Sequence, residues 1–308
     1  MPINYNPHHW DSHLFDIRGS MVREIIGRVM TCVVWSAVVT SFHFFVHPIG
    51  TASTVHTLLG TALGLLLVFR TNSSYDRFWE GRKLWGSITN ESRNLWRGAW
   101  TYLRNDPERA QAVIAWAAMF PYGARSVLKG RVELGPTASQ VPPDQLEDIK
   151  QSAHVALAVA ARISAELVAA RDQGTISDIQ LTALDRNVEL LVDYIGACER
   201  IRRTPMPFPY MVHLRRALIL YCFTLPFALV KDYGWGTVLD TFLVAYIFFG
   251  IEEIGVEIED PFGDDVNDLP LEEFCDGIET VLRGVPNLPP AEPYGAPASG
   301  TAGFPRKA

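Results

Sequence analysis

Hydrophobic positions along the chain gather into four long stretches, with one broad polar region between the second and the third. Val29 to Val46 is an 18-residue run without a formal charge, and Ala52 to Phe69 is another of the same length. At about 1.5 Å of rise per residue, such a helix reaches about 27 Å, close to the hydrocarbon thickness of a bilayer. Both runs therefore predict spanning helices. The second ends at Arg70, where the chain turns charged and aromatic with no proline or glycine before Gly81. One helix is thus expected to cross the membrane and continue into water. Ala217 to Val230 supplies only 14 apolar residues. Met211 and Val212 extend it, Arg215 and Arg216 can snorkel, and Pro226 is expected to bend this third span. Trp235 to Ile251 is the fourth. It contains Asp240, a functional candidate by default inside a membrane, although an interfacial position is the plainer view.

Residues 73–209 hold no uncharged run long enough to span, and they read as a cytosolic helical domain. Tyr75 to Leu103 continues as helix. Ala110 to Phe120 is apolar but short, with Pro121 as its expected end. Residues 130–143 read as loop, and Asp144 to Asp172 as one alanine-rich helix stopped by Gly174. Ser177 or Asp178 caps a helix running to Arg203. No alternating strand pattern of useful length appears. The expected division is an interfacial segment at 1–28, a membrane hairpin at 29–72, the cytosolic domain at 73–209, and membrane helices three and four at 210–256. An acidic segment with a helix follows at 257–285, and the Pro/Gly/Ala-rich stretch 286–308 reads as a disordered tail.

Composition supports this mixed character. Hydrophobic residues make up 48% and mean hydropathy is +0.08, only modestly above a soluble protein. A net charge of −7 gives a nucleic-acid surface no support. Cys32, Cys198, Cys222 and Cys275 lack CxxC spacing and read as reduced packing residues. The first long apolar run begins only after Arg28, so a cleavable leader is not expected. Arg18, Arg23 and Arg28 precede the first span and Arg70, Arg77, Arg82 and Lys83 follow the second, whereas His47 to Val55 has no Lys or Arg. The positive-inside rule places both ends of this hairpin, and with four spans both termini, in the cytoplasm of a multi-pass cell-membrane protein. His8, His9 and His13, like His43 and His47, allow a metal reading, but membrane-interface positions account for them more simply. No phosphate loop, HExxH or nucleophile elbow is present, and an enzyme is not expected.

Two stripes mark the second span. Gly60 and Gly64 form a small-xxx-small pair that lets a neighbouring helix approach. Thr61, Leu65 and Phe69, four apart, line up on an adjacent face. By spacing alone both are ordinary helix packing.

The run FRTNSSYDRFWEGRKLWG (Phe69 to Gly86) resembles the bestrophin family of ion channels, especially its bacterial branch. So does EDPFGDDVNDLPLEE (Glu259 to Glu273), which is similar to the family's acidic segment after the last membrane helix. CERIRRTPMPFPY (Cys198 to Tyr210) and LPFALV (Leu225 to Val230) add to the likeness. The resemblance implies an all-α membrane protein with four transmembrane helices and a large cytosolic helical domain, assembled as a cyclic homopentamer around a central pore. It implies passive flux of monovalent ions, chloride or other anions by family default, although bacterial relatives include cation-conducting members. Carried over residue by residue, the neck positions fall on Thr61, Leu65 and Phe69, where Thr61 departs from the usual apolar residue and implies a wetter outer neck. The cytosolic aperture falls on Ile179. The family's calcium clasp maps two carboxylates onto Asp265 and Asp268, but Val266, Asn267, Leu269 and Pro270 dilute the acidic cluster. A structural turn with Asp264 or Asp268 as a helix cap is the competing account. A non-conducting, membrane-anchored interaction protein is the remote alternative. An anchor tolerates any lipid-facing sequence, whereas a pore needs close packing and one stripe facing an axis.

Overall fold

A computed structural model describes residues 21–284. His8, His9 and His13 and the 286–308 stretch lie outside the described residues. Among those described, nine α-helices and one short 3-10 turn account for the regular structure. In chain order they are α1 (Val22–Phe45), α2 (Ser53–Tyr102), α3 (Pro107–Lys129), α4 (Pro143–Gln151), α5 (Val155–Asp172), α6 (Asp178–Arg203), α7 (Phe208–Tyr233), α8 (Gly236–Glu257) and α9 (Leu271–Gly284).

The organising element is α2, 50 residues without interruption. At about 1.5 Å per residue it is about 75 Å long, enough to cross a bilayer and extend as far again beyond it. Its first half joins α1, α7 and α8 in one apolar cluster. Ile25, Val29 and Cys32 there meet Leu63 and Leu67, Leu214, Leu218 and Cys222, and Ala245 and Phe249. Hydrogen bonds reinforce that bundle where hydrocarbon contacts alone do not specify register. Trp35 Nε1 donates to the Phe223 carbonyl at 2.9 Å, and Thr241 donates to Ser36 at 3.1 Å. The second half of α2 joins a separate core with α3, α5 and α6, built around Trp85, Ile88, Leu95, Trp116, Phe120 and Leu191.

Among the described residues three helices, α1, α2 and α7, are long and apolar enough to cross a membrane by length and composition. The fourth expected span, α8, is 22 residues long but carries Asp240, Glu252, Glu253 and Glu257. Asp240 is half-buried in the first turns of α8. All four cysteines are free and buried, as packing residues should be.

Some local expectations fail for identifiable reasons. Pro121 does not end α3, which runs on to Lys129. Every residue from Trp116 to Ala124 is buried, and that packing outweighs one lost backbone hydrogen bond. The expected helix over 144–172 is two helices. Its break needs neither glycine nor proline, because the His154 ring accepts the Leu157 N–H at 3.1 Å and caps α5 afresh. Pro226 lies inside α7. Two boundary signals hold. Gly174, at φ +76°, follows the end of α5, and Ser177 caps α6 in a reciprocal capping box with Gln180.

Candidate functional site: the free face of α2

Along an α-helix each residue turns about 100°, so Thr61, Leu65 and Phe69 share an arc of about 80°. All three are exposed, Leu65 and Phe69 at 57% and 56%. The residues almost opposite, Leu63 and Leu67, are 5% and 1% exposed. The sequence stripe is therefore the side of α2 that its own chain leaves uncovered. Val55, Leu58 and Val68 widen this apolar surface. Thr61 is less polar here than its type suggests, because its hydroxyl donates to the Thr57 carbonyl at 2.9 Å.

The glycine pair divides its work. A Cβ on Gly60 would sit 2.6 Å from the Tyr221 hydroxyl, so this glycine admits α7. Among the described residues Gly64 has nothing within 4 Å of that position and packs against no other helix. Among the described residues only the Gly60 half of the motif is used. Ile179, in the first turn of α6, is 82% exposed. The chain does not bring it together with the Thr61–Phe69 stripe.

At the end of its apolar run α2 is pinned by residues that sequence reading passed over. Arg70 is fully buried and meets Glu259 at 2.8 Å, while also donating to Ser74. Glu259 accepts the Met206 amide at 2.8 Å with its other oxygen. Arg77 donates to the carbonyls of Glu259 at 3.0 Å and Ile201 at 2.7 Å, and to that of Thr204. The spacing of Arg70, Ser74 and Arg77 places all three on one face of α2, and that was the signal available in the sequence.

Glu259 opens the acidic segment, which forms a turn around Phe262, buried in the core built around Trp85 and Phe120. Asp260 accepts the Phe262 amide at 3.1 Å, a local turn of the Asx kind. The Asp268 carboxylate accepts the Asp265 N–H at 2.6 Å, and the Asp268 amide returns to the Asp265 carbonyl at 3.2 Å. Burial pushes the Asp268 carboxyl up to about 6, with Asp265 and Asp260 adding to the rise against the hydrogen bond and Lys129. Lys129 of α3 donates to the Gly263 carbonyl and pairs with Asp264 at 3.0 Å. That hydrogen bond holds the Asp264 carboxyl below its ordinary range. Neither Asp264 nor Asp268 caps α9 as the turn account expected. They brace the turn itself.

This arrangement does not fit calcium well. Calcium takes six to eight oxygens. Here one Asp268 oxygen is engaged by an amide, and a lysine ammonium occupies the Gly263 carbonyl and Asp264. Among the described residues no group of three or more His, Cys, Asp or Glu side chains is placed to hold a metal.

A helical bundle with a long central helix, an uncovered apolar face and a separate second core defines the class: an all-α membrane protein. Residues 1–284 match the family model described as Bacterial/Fungal Bestrophin protein. The chain is 38% identical over 286 residues to a voltage-dependent anion channel-forming protein of Nostoc sp. (strain PCC 7120), covering 92% of this chain and 93% of that one. It is 32% identical over 280 residues to the voltage-dependent anion channel-forming protein YneE of Escherichia coli K12, covering 89% and 90%. Its fold overlays the crystal structure of a bacterial bestrophin homolog from Klebsiella pneumoniae with a TM-score of 0.78 at 29% identity, covering 84% of this chain and 97% of that one. The chain belongs to the bacterial bestrophin family.

Proposed function

We propose that this chain forms a homopentameric channel for passive flux of monovalent ions, with anions as the principal permeant species. One observation carries the reading: the apolar face of α2 at Leu65 and Phe69 is left open on the side opposite its buried face. Lipid alone is a poor explanation, since Gly64 also stands empty beside that stripe and leaves room for a second copy. In this reading α1, the first half of α2, α7 and α8 span the cell membrane. Residues 73–209 and 257–285 lie in the cytosol, as do both termini. Asp240 and Glu252/Glu253 mark the two boundaries of α8. Thr61, Leu65 and Phe69 form the neck and Ile179 the inner aperture. Such apolar rings gate by dewetting, because an ion entering them gives up water and gains no polar contact.

The anion preference follows the names of the Nostoc and Escherichia relatives. Cation conduction is the second reading, favoured by the net charge of −7. The acidic segment is, in this reading, a turn braced by Lys129. Native mass spectrometry in mild detergent should report five copies. Reversal potentials of purified protein in planar bilayers under asymmetric NaCl should lie toward the chloride equilibrium. A value toward sodium would select the cation reading, and a stable, non-conducting monomer would end the channel reading altogether.

A further inference from the structure

The uncovered face of α2 does not stop at Phe69. With about 100° per residue, Asn72, Asp76, Trp79 and Lys83 fall inside the same arc of about 80° as Thr61, Leu65 and Phe69. All seven are exposed. On the opposite arc Leu63, Leu67, Arg70, Ser74, Gly81, Trp85 and Ile88 are all buried. One stripe therefore runs unbroken from the apolar neck into the water-facing half of the helix. Asp76 and Lys83 are its first two charges.

Neither charge is neutralised by a described residue. Among the described residues, Asp76 and Lys83 have no ion pair or side-chain hydrogen bond. The positions three and four residues from Asp76 are Asn72, Ser73, Trp79 and Glu80, so no helical neighbour supplies a cation. The adjacent Arg77 is turned away and committed to three backbone carbonyls. Glu80 is paired with Arg200 at 3.4 Å, and the Arg82 guanidinium lies 4.7 Å over the Phe274 ring.

We propose that Asp76 is a specificity-determining residue of the channel, opposed by Lys83. The proposal rests on the reading of this α2 face as the pore wall. Symmetric copies then place a ring of carboxylates seven residues, or about 10 Å, past the Phe69 ring, and a ring of ammonium groups about 10 Å further in. The first spacing is comparable with the screening length of about 8 Å at physiological salt, so the carboxylate ring acts on ions at the inner mouth of the neck. The Lys83 ring acts there only weakly. A carboxylate ring beside a constriction concentrates cations and depletes anions where dehydration begins. An anion leaving the neck meets Asp76 before it meets Lys83. Asp76 therefore limits anion preference, and Lys83 partly restores it.

The experiment is the reversal potential in asymmetric NaCl for wild type, Asp76→Asn, Asp76→Ser and Lys83→Gln, with Leu65→Ala as the control for the pore face. Both Asp76 variants should raise the chloride-to-sodium permeability ratio by about threefold or more at low salt, and the gain should shrink at high salt. Lys83→Gln should lower the ratio by less. If Leu65→Ala changes conductance while every Asp76 and Lys83 variant keeps the wild-type ratio, the selectivity role is wrong and the pore wall stands. If Leu65→Ala also changes nothing, the pore wall itself is wrong.

Discussion

Arg70 and Glu259, 189 residues apart in sequence, form an ion pair at 2.8 Å that is closed to solvent on the arginine side. It ties α2, at the point where its apolar run ends, to the turn that follows α8. Through the second oxygen of Glu259 it also reaches the approach to α7. Three chain segments are thus held together where the apolar run of α2 ends.

Breaking that pair leaves a buried charge without a partner. Glu259→Gln should lower stability by about 3–5 kcal/mol, whereas Arg70→Met/Glu259→Gln should recover most of the loss because no orphan charge remains. Thermal unfolding in detergent compares the two. A double variant less stable than the single one would show that the pair does not work this way.

Truncating the free stripe should widen and wet the neck. Leu65→Ala/Phe69→Ala should raise single-channel conductance several-fold, with little change in thermal stability, since both side chains are exposed within their own chain. Unchanged conductance would remove these residues from the pore.

Asp268 gives the acidic turn a pH dependence of definite sign. Its carboxyl titrates at about 6 in the folded chain, above its ordinary value near 4. Folding therefore favours the protonated form. The stabilisation is fully present below about pH 4 and is lost as pH rises through 6. Asp268→Asn should gain on the order of 1 kcal/mol over wild type at pH 7, after allowance for partial exposure, and the gain should vanish at pH 4. Melting curves across that range provide the check. A constant difference at all pH values would contradict the assignment.

Calcium should not bind the acidic turn at micromolar concentration. Titration calorimetry should give no heat with wild type or with Asp265→Ala/Asp268→Ala, because Lys129 already occupies the Gly263 carbonyl and the Asp264 carboxylate. Micromolar binding abolished in the double variant would overturn the braced-turn account and restore the clasp.

Much of the fold was legible because the membrane imposes long, charge-free runs that stand out against any background. The continuation of α2 as one helix past Arg70 was legible too, since nothing between Phe69 and Gly81 stops a helix. The α6 start could be read from Ser177 because a capping box is a local device. What escaped was decided by distant contacts. Pro121 reads locally as a stop, and only the core around Trp116 and Phe120 carries the helix through it. His154 reads as nothing in particular until its ring meets the Leu157 amide. The free stripe was visible as a pattern, but spacing could not say whether Leu65 or Leu67 faced the chain's interior. Lys129 gave no signal at all, because its partners lie 134 and 135 residues away.

The unbroken course of α2 makes it a rod that transmits angle as well as length. With no break in the helix between Leu65 and Trp85, inserting one alanine after Tyr75 would twist Leu65 and Phe69 by about 100° relative to the second half of α2, and seven residues would nearly cancel the twist, leaving about 20°. Length in this segment is therefore counted in turns. Torque applied to the second half of α2 arrives at Leu65 as rotation, with no intervening joint in which to dissipate.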